Sequence, residues 1–193
     1  MNRFSRLALA AGLALAAPAA FAAPVTYTID PTHTDVIVQW NHFGFSNPSA
    51  RFGGAEGTIV YDAVNVSASR VDVTLPLAGL ETHVPALDDH FRGDELFDIA
   101  RFPEARFTST GVEATADGLK ITGDLTVKGT TREVVLDATL NGAGKHPMSG
   151  QPAAGFDAAT TLKRSDFGLD LFAPAVSDEV RVRITTEAVA KGE

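Results

Sequence analysis

Hydrophobic and polar residues alternate with a period of two over most of the chain from residue 25 onward, the pattern of strands that bury one face. Over 69–77, Val71, Val73, Leu75 and Leu77 share one face with Ser69, while Arg70, Asp72, Thr74 and Pro76 share the other. Over 119–128, Leu119, Ile121, Leu125 and Val127 alternate with polar residues, and Gly123 stands in the apolar row where a strand can bend. The pattern returns for Val134, Leu136, Ala138 and Leu140, and near the C-terminus for Val180, Val182, Ile184 and Ala188. Less regular strands are predicted at 25–30, 34–42, 50–61, 104–112 and 156–165, giving eight or nine in all. Asp117-Gly118 and Asn141-Gly142 predict tight turns, and Asn47-Pro48 and Gly129-Thr130 break other runs.

One segment departs from this pattern. Pro85 suits a first helical position, Asp88 and Asp89 fall in the first turn, and Leu87 and Phe91 share a face, so a short amphipathic helix is predicted within Pro85 to Phe97, interrupted at Gly93. The Gly-, Pro- and Ala-rich stretch 141–155 predicts a long loop. Many antiparallel strands with one apolar face have two main solutions, a sandwich or a closed barrel, and periodicity does not choose between them. Small residues in the apolar rows (Ser69, Gly123, Ala138, Ala188) lean toward a barrel with room inside.

Composition narrows the setting. The chain opens with Arg3 and Arg6, continues through eleven residues from Leu7 to Ala17 that are almost all apolar, and reaches the triplet Ala20-Phe21-Ala22. That is the signature of a secretory signal peptide. It predicts cleavage between Ala22 and Ala23 and an exported domain spanning 23–193. A bilayer span takes about 20 apolar residues, so no permanent anchor is expected. Without residues 1–22, 14 basic residues stand against 24 acidic ones, a balance repelled by nucleic acid and by anionic membrane surfaces. The absence of cysteine excludes disulfides, thiolate metal sites and a Cys nucleophile.

Candidate chemistry is sparse. The five histidines form no close pair or cluster with metal-ligand spacing, and no metal or cofactor is expected. His33, in Asp30-Pro31-Thr32-His33, is either a general base oriented by a carboxylate or part of a turn closed by local hydrogen bonds. His42 has the strand parity of Val36, Val38 and Trp40, so it meets the polar end of a ligand or bonds to protein groups. Arg164 holds an anionic head group or pairs with a carboxylate at a strand end. No nucleophile elbow, phosphate-binding loop or His-Glu-x-x-His pair is present, so no catalytic residue is assigned.

Several segments, taken in order, carry a resemblance. They are Tyr27-Thr28-Ile29-Asp30 with His33, His42-Phe43-Gly44-Phe45-Ser46 with Arg51-Phe52, Asp89-His90 with Leu96-Phe97-Asp98 and Phe102-Pro103, Thr122 to Gly129, Arg164 to Gly168, and Val176 to Val180. Together they resemble the YceI-like family of periplasmic polyisoprenoid-binding proteins. At Phe91 and Leu96 the chain departs from that pattern, which carries a Leu and then a Phe. The resemblance implies an all-β, antiparallel, lipocalin-like barrel in the periplasm that holds an isoprenoid or quinone-like chain without catalysis. Parity and position nominate the lumen wall: Val36, Val38, Trp40, Phe43, Phe45, Val71, Val73, Leu75, Phe91, Phe97, Ile121, Leu125, Leu136, Val182 and Ile184, with His42 and Arg164 toward a head group. Two other functions compete: an enzyme working through His33 or His42 on a lipid-linked substrate, and an interaction module whose barrel is filled by its own side chains. The oligomeric state stays open, a homodimer included.

Overall fold

The computed structural model describes residues 23–190, and the predicted signal segment with its Ala22 junction lies outside them. The strands are β1 (Val25–Ile29), β2 (Asp35–His42), β3 (Ser49–Phe52), β4 (Glu56–Tyr61), β5 (Arg70–Pro76), β6 (Leu80–Glu81), β7 (Glu104–Ala114), β8 (Leu119–Val127), β9 (Thr130–Lys145), β10 (Pro152–Lys163) and β11 (Val176–Ala190). One helix, α1 (Pro85–Arg92), lies between β6 and β7. The strands pair antiparallel in the order β1-β4-β5-β7-β8-β9-β10-β11, and β11 pairs back to β1, so eight strands close a barrel. The barrel alternative was the right one, in the form the family resemblance implies.

Closure rests on how β11 divides its edge. Its first part pairs with β2, from Val176 opposite His42 to Thr185 opposite Asp35, and its last part pairs with β1, with Ile29 opposite Ala188. Between them, the Asp30 amide donates to the Glu187 carbonyl at 2.8 Å and the Glu187 amide donates to the His33 carbonyl at 3.2 Å. The turn 30–34 thus lets β1 and β2 lie end to end along one strand. The strand expected over 50–61 breaks in the same way: β3 pairs with β2, β4 pairs with β1, and Gly54 (φ +77°) makes the corner. A short 3-10 turn, Leu77–Gly79, likewise separates β5 from β6.

At that corner two backbones nearly touch. The Gly53 amide donates to the Gly79 carbonyl at 3.2 Å, and a Cβ on Gly79 would stand 2.4 Å from the Gly53 carbonyl oxygen. Other turns follow their sequence signals. Lys128 and Gly129 (φ +48° and +74°) close the β8–β9 hairpin, and the Thr115 amide bonds to the Gly118 carbonyl at 2.9 Å.

The expected long loop at 141–155 is a correction. β9 runs on to Lys145 and β10 begins at Pro152, so only 146–151 connect them. Asn141-Gly142 is no tight turn; the register passes from Gly155–Gly142 to Phe156–Leu140, leaving Asn141 as a bulge. Gly142, Ala143 and Gly144 face Gly155, Ala154 and Ala153, so the ladder continues through residues too small to show an alternating pattern.

We predict that Gly79→Ala destabilises the fold by about 1–3 kcal/mol, because the added methyl has only backbone to move against. Gly144→Ala, in open space on β9, should shift stability by under about 0.5 kcal/mol. Urea unfolding of the two variants checks the difference.

Candidate ligand-binding lumen

The alternating apolar rows turn inward except at Leu140, which is 38% exposed beside the Asn141 bulge, and the ring they line is not filled. It encloses a cavity of about 650 Å³. Every predicted wall residue except two borders it: Val36, Val38, Trp40, Val71, Val73, Leu75, Phe91, Phe97, Ile121, Leu125, Leu136, Val182 and Ile184. The exceptions are Phe43 and Phe45, which are 50% and 92% exposed. They lie past the end of β2, at odd positions whose parity is opposite to that of Val36, Val38 and Trp40, and the backbone bends there (Phe43 φ +53°), so neither parity nor position brings them inward.

One end of the barrel is packed by its own side chains. Tyr27, Ile29, Ile59, Phe156, Ala188 and Ala190 are buried together, and Phe156 meets Tyr61 edge to face with centroids 5.6 Å apart. Two of the small inward residues serve this kind of packing rather than leaving space. Ala188 is fully buried in that cluster, and Gly123 lies under the Phe107 ring, where a Cβ would be 2.5 Å from it. Ser69 and Ala138 do border the cavity.

The other end is open, and α1 partly covers it. Leu87, His90 and Phe91, at helical i, i+3, i+4 spacing, face the cavity. Phe91 meets Trp40 edge to face at 5.4 Å, and Phe97 lies against Phe91 at 6.2 Å and Phe52 at 5.8 Å. The helix is pinned from outside the apolar set. The buried Asp88 carboxylate accepts from the Thr82 amide at 2.7 Å and hydroxyl at 2.5 Å, which lowers its pKa, and Arg92 donates to the Leu80 carbonyl at 2.6 Å. α1 stops at Arg92 because Gly93 turns to extended backbone (φ −65°, ψ 168°), its amide still bonded to the Asp89 and His90 carbonyls.

Polar groups on the wall are few, and three of its hydroxyls are taken by protein partners. Thr34 and Thr186 bond to each other at 2.8 Å, and the Ser69 hydroxyl accepts the Asp62 amide at 3.1 Å. His42 is exposed at the mouth, not buried, and its ring lies edge to face on Phe43 at 4.3 Å. Arg164 borders the cavity, but its guanidinium donates to three carbonyls, Ser177 and Val176 at 2.8 Å and Leu169, instead of pairing with a carboxylate. Burial lowers its pKa from the usual guanidinium value. Asp178 takes the neighbouring Ser165 amide and hydroxyl, at 2.9 and 2.8 Å. Arg164 therefore holds the segment 169–177 in place beside the mouth.

His33 is absent from the cavity wall and mostly exposed. Asp30 accepts from the Thr32 amide at 2.8 Å and hydroxyl at 2.6 Å, and its other oxygen lies 2.8 Å from His33 Nδ1. The turn closed by local bonds is the reading the geometry supports, at the joint where β11 passes from β2 to β1. Sequence reasoning missed several wall residues: Ile29, Tyr61, Phe107 and Phe156 lay in strands without clean alternation, and His90, Leu171 and Phe172 come from the helix and a loop.

A closed antiparallel barrel with an apolar lumen and one open mouth is the geometry against which relatives can be compared. The family model described as "YceI-like domain" matches residues 27–188. This chain belongs to the YceI-like family. Protein YceI of Salmonella arizonae is 38% identical over 157 residues, covering 81% of this chain and 82% of its own. Among solved structures, Burkholderia cenocepacia BcnA superimposes with a TM-score of 0.74 at 22% identity, over 83% of this chain and 99% of BcnA. A polyisoprenoid binding domain from Saccharophagus degradans, implicated in plant cell wall breakdown, does so with 0.62 at 15% identity, over 86% and 99%. At these identities the two structures are similar to this chain in fold.

The Asp30–His33 pair has a measurable signature. Bonds from Thr32 and then His33 lower the Asp30 carboxyl to about 2, and the Asp30 hydrogen bond raises His33 above the usual imidazole value. The depressed Asp30 supports folding above the ordinary carboxylate range, and that support is lost as pH falls toward about 2. The raised His33 supports folding below about 6.5, and that support is lost as pH climbs through its raised value. We predict a His33 imidazole NMR midpoint above about 6.5, returning to the ordinary value in Asp30→Asn.

Proposed function

We propose that this protein binds a long, flexible apolar chain, of the polyisoprenoid or quinone-like kind, within the barrel and stores or carries it in the periplasm. The observation that carries this reading is a cavity of about 650 Å³ whose wall is almost entirely aliphatic and aromatic. That size falls within the range of roughly 300–1,000 Å³ of small-molecule sites. The binding named for the Saccharophagus degradans domain supports the same ligand class, and the signal-like N-terminus supports export.

The protein's part is solvation and shape, without bond making. The mouth offers His42 and His90, and among the described residues no Asp or Glu borders the cavity to pair with either ring. At about 30 Å³ per heavy atom, the share of one water in the liquid, the lumen holds about 20 carbon atoms. With roughly 0.3 kcal/mol per heavy atom this gives about 6 kcal/mol, a dissociation constant of tens of micromolar. Each five-carbon unit that fits adds about 1.5 kcal/mol, roughly tenfold in affinity.

Titrating a series of prenols of increasing length tests the proposal. Affinity should climb roughly tenfold per isoprene unit and level off near about 20 carbons. Ala158→Phe adds a ring to the wall between Ala138 and Ile184, and should move the plateau down by about one unit while leaving thermal stability unchanged or raised. Prenols that fail to bind, or a plateau that Ala158→Phe does not move, would remove the proposal.

A further inference from the structure

We propose that the open end of this barrel docks on the surface of a zwitterionic lipid bilayer through Phe43, Phe45 and Phe172. The three rings are 50%, 92% and 60% exposed, in a fold whose other large apolar side chains are mostly buried or half-buried, with Val64, Val84, Val135, Leu140 and Met148 the exposed ones among the described residues. They sit on two loops that flank the mouth. Phe43 and Phe45 follow His42, and Ser46 and Pro48 of the same loop border the cavity, as do Leu171 and Phe172 of the other.

Their exposure does not come from looseness. The Phe43 amide donates to the Ala175 carbonyl at 3.0 Å, which ties the two loops together, and the Phe45 amide donates to the His42 carbonyl at 3.0 Å. The Gly44 amide bonds to the Asn41 side chain at 2.7 Å, and the Val176 amide to the Phe172 carbonyl at 2.9 Å. Phe43 and Phe172 also hold positive φ angles, +53° and +62°, which bulky residues adopt at a cost and seldom. The backbone is thus bent to hold two partly exposed rings at the rim, Phe43 against His42 and Phe172 beside His90 at the edge of the cavity.

Charge selects the occupant. Residues 43–48 and 168–175 contain one ionisable side chain, Asp170, although 21% of the whole chain is charged. An apolar collar with a single carboxylate enters the boundary of a bilayer with at most one fixed charge to strip of water. The acidic remainder of the molecule opposes an anionic surface, so a zwitterionic one fits. Contact there would join the apolar lumen wall to the acyl region, and a chain could pass between them without crossing water. The purpose of the contact rests on the lumen reading above; its geometry does not.

The test is flotation of the exported chain with phosphatidylcholine vesicles, beside the double variant Phe43→Asn, Phe45→Ser. Neither residue borders the cavity, and Asn tolerates the positive φ at 43. We expect wild type to float with the vesicles and the variant to partition at least about tenfold more weakly, while both bind a prenol in solution equally. Equal partitioning of the two proteins, or no partitioning by wild type, would overturn the proposal. So would light scattering that shows a wild-type dimer dispersed to monomer by the variant, because the collar would then be an interface between copies. If vesicle binding depends on the collar but no prenol binds, the docking surface stands and the lumen proposal fails.

Discussion

Backbone groups in a sheet have to be paired, and in this molecule one strand closes the ring that pairs them. β11 is bonded to β10 along one edge, and along the other to β2 and then β1. An open sheet of this length would leave an unpaired edge, which invites association with other chains. Closing it means that β1 and β2 must share a single neighbour, and the turn 30–34 is the joint that permits this. Asp30, Thr32 and His33 bond among themselves there, while backbone bonds to Glu187 hold the joint to β11. A residue that looks like a candidate base thereby serves the closure on which the lumen depends.

Once the ring closes, its inward faces define both the core and the cavity wall. The packed end shows an ordinary interior, with Phe156, Tyr27 and Ala188 fitted together. Toward the mouth the same apolar rows stop meeting across the barrel, and the space between them stays unfilled. Atoms bordering a void forgo part of their dispersion contacts. A hydrocarbon chain would restore those contacts and at the same time leave water, so packing and ligand capture draw on the same surface.

The mouth is organised by a different kind of contact. Arg164 donates to the Ser177, Val176 and Leu169 carbonyls, and Asp178 fixes Ser165, so the loop that bears Phe172 is held by buried polar bonds. Across the opening, Asp88 and Arg92 tie α1 to the chain before it. Charged side chains here are spent on backbone groups within the protein. The two loops beside the mouth keep a single ionisable side chain, Asp170, while α1 presents the exposed Asp89.

Much of this was legible in the sequence, for a local reason. A period of two records which face of each strand avoids water, so the inward placement of Val71, Val73, Ile121, Leu125, Val182 and Ile184 followed from spacing alone. The helix limits followed from Pro85 and Gly93 in the same way. Residues outside regular strands carry no such record: nearness to β2 places Phe43 and Phe45 on the wall against its parity, yet they lie on a bend exposed to solvent. The ladder between Gly142–Gly144 and Ala153–Gly155 was hidden because side chains that small leave no alternation to detect. Sequence by itself therefore determined the regularly alternating strands, their buried faces and the apolar character of the interior. Tertiary structure alone decided that the sheet closes, that Arg164 is taken up by carbonyls, and that space remains inside, because each depends on groups brought together from distant parts of the chain.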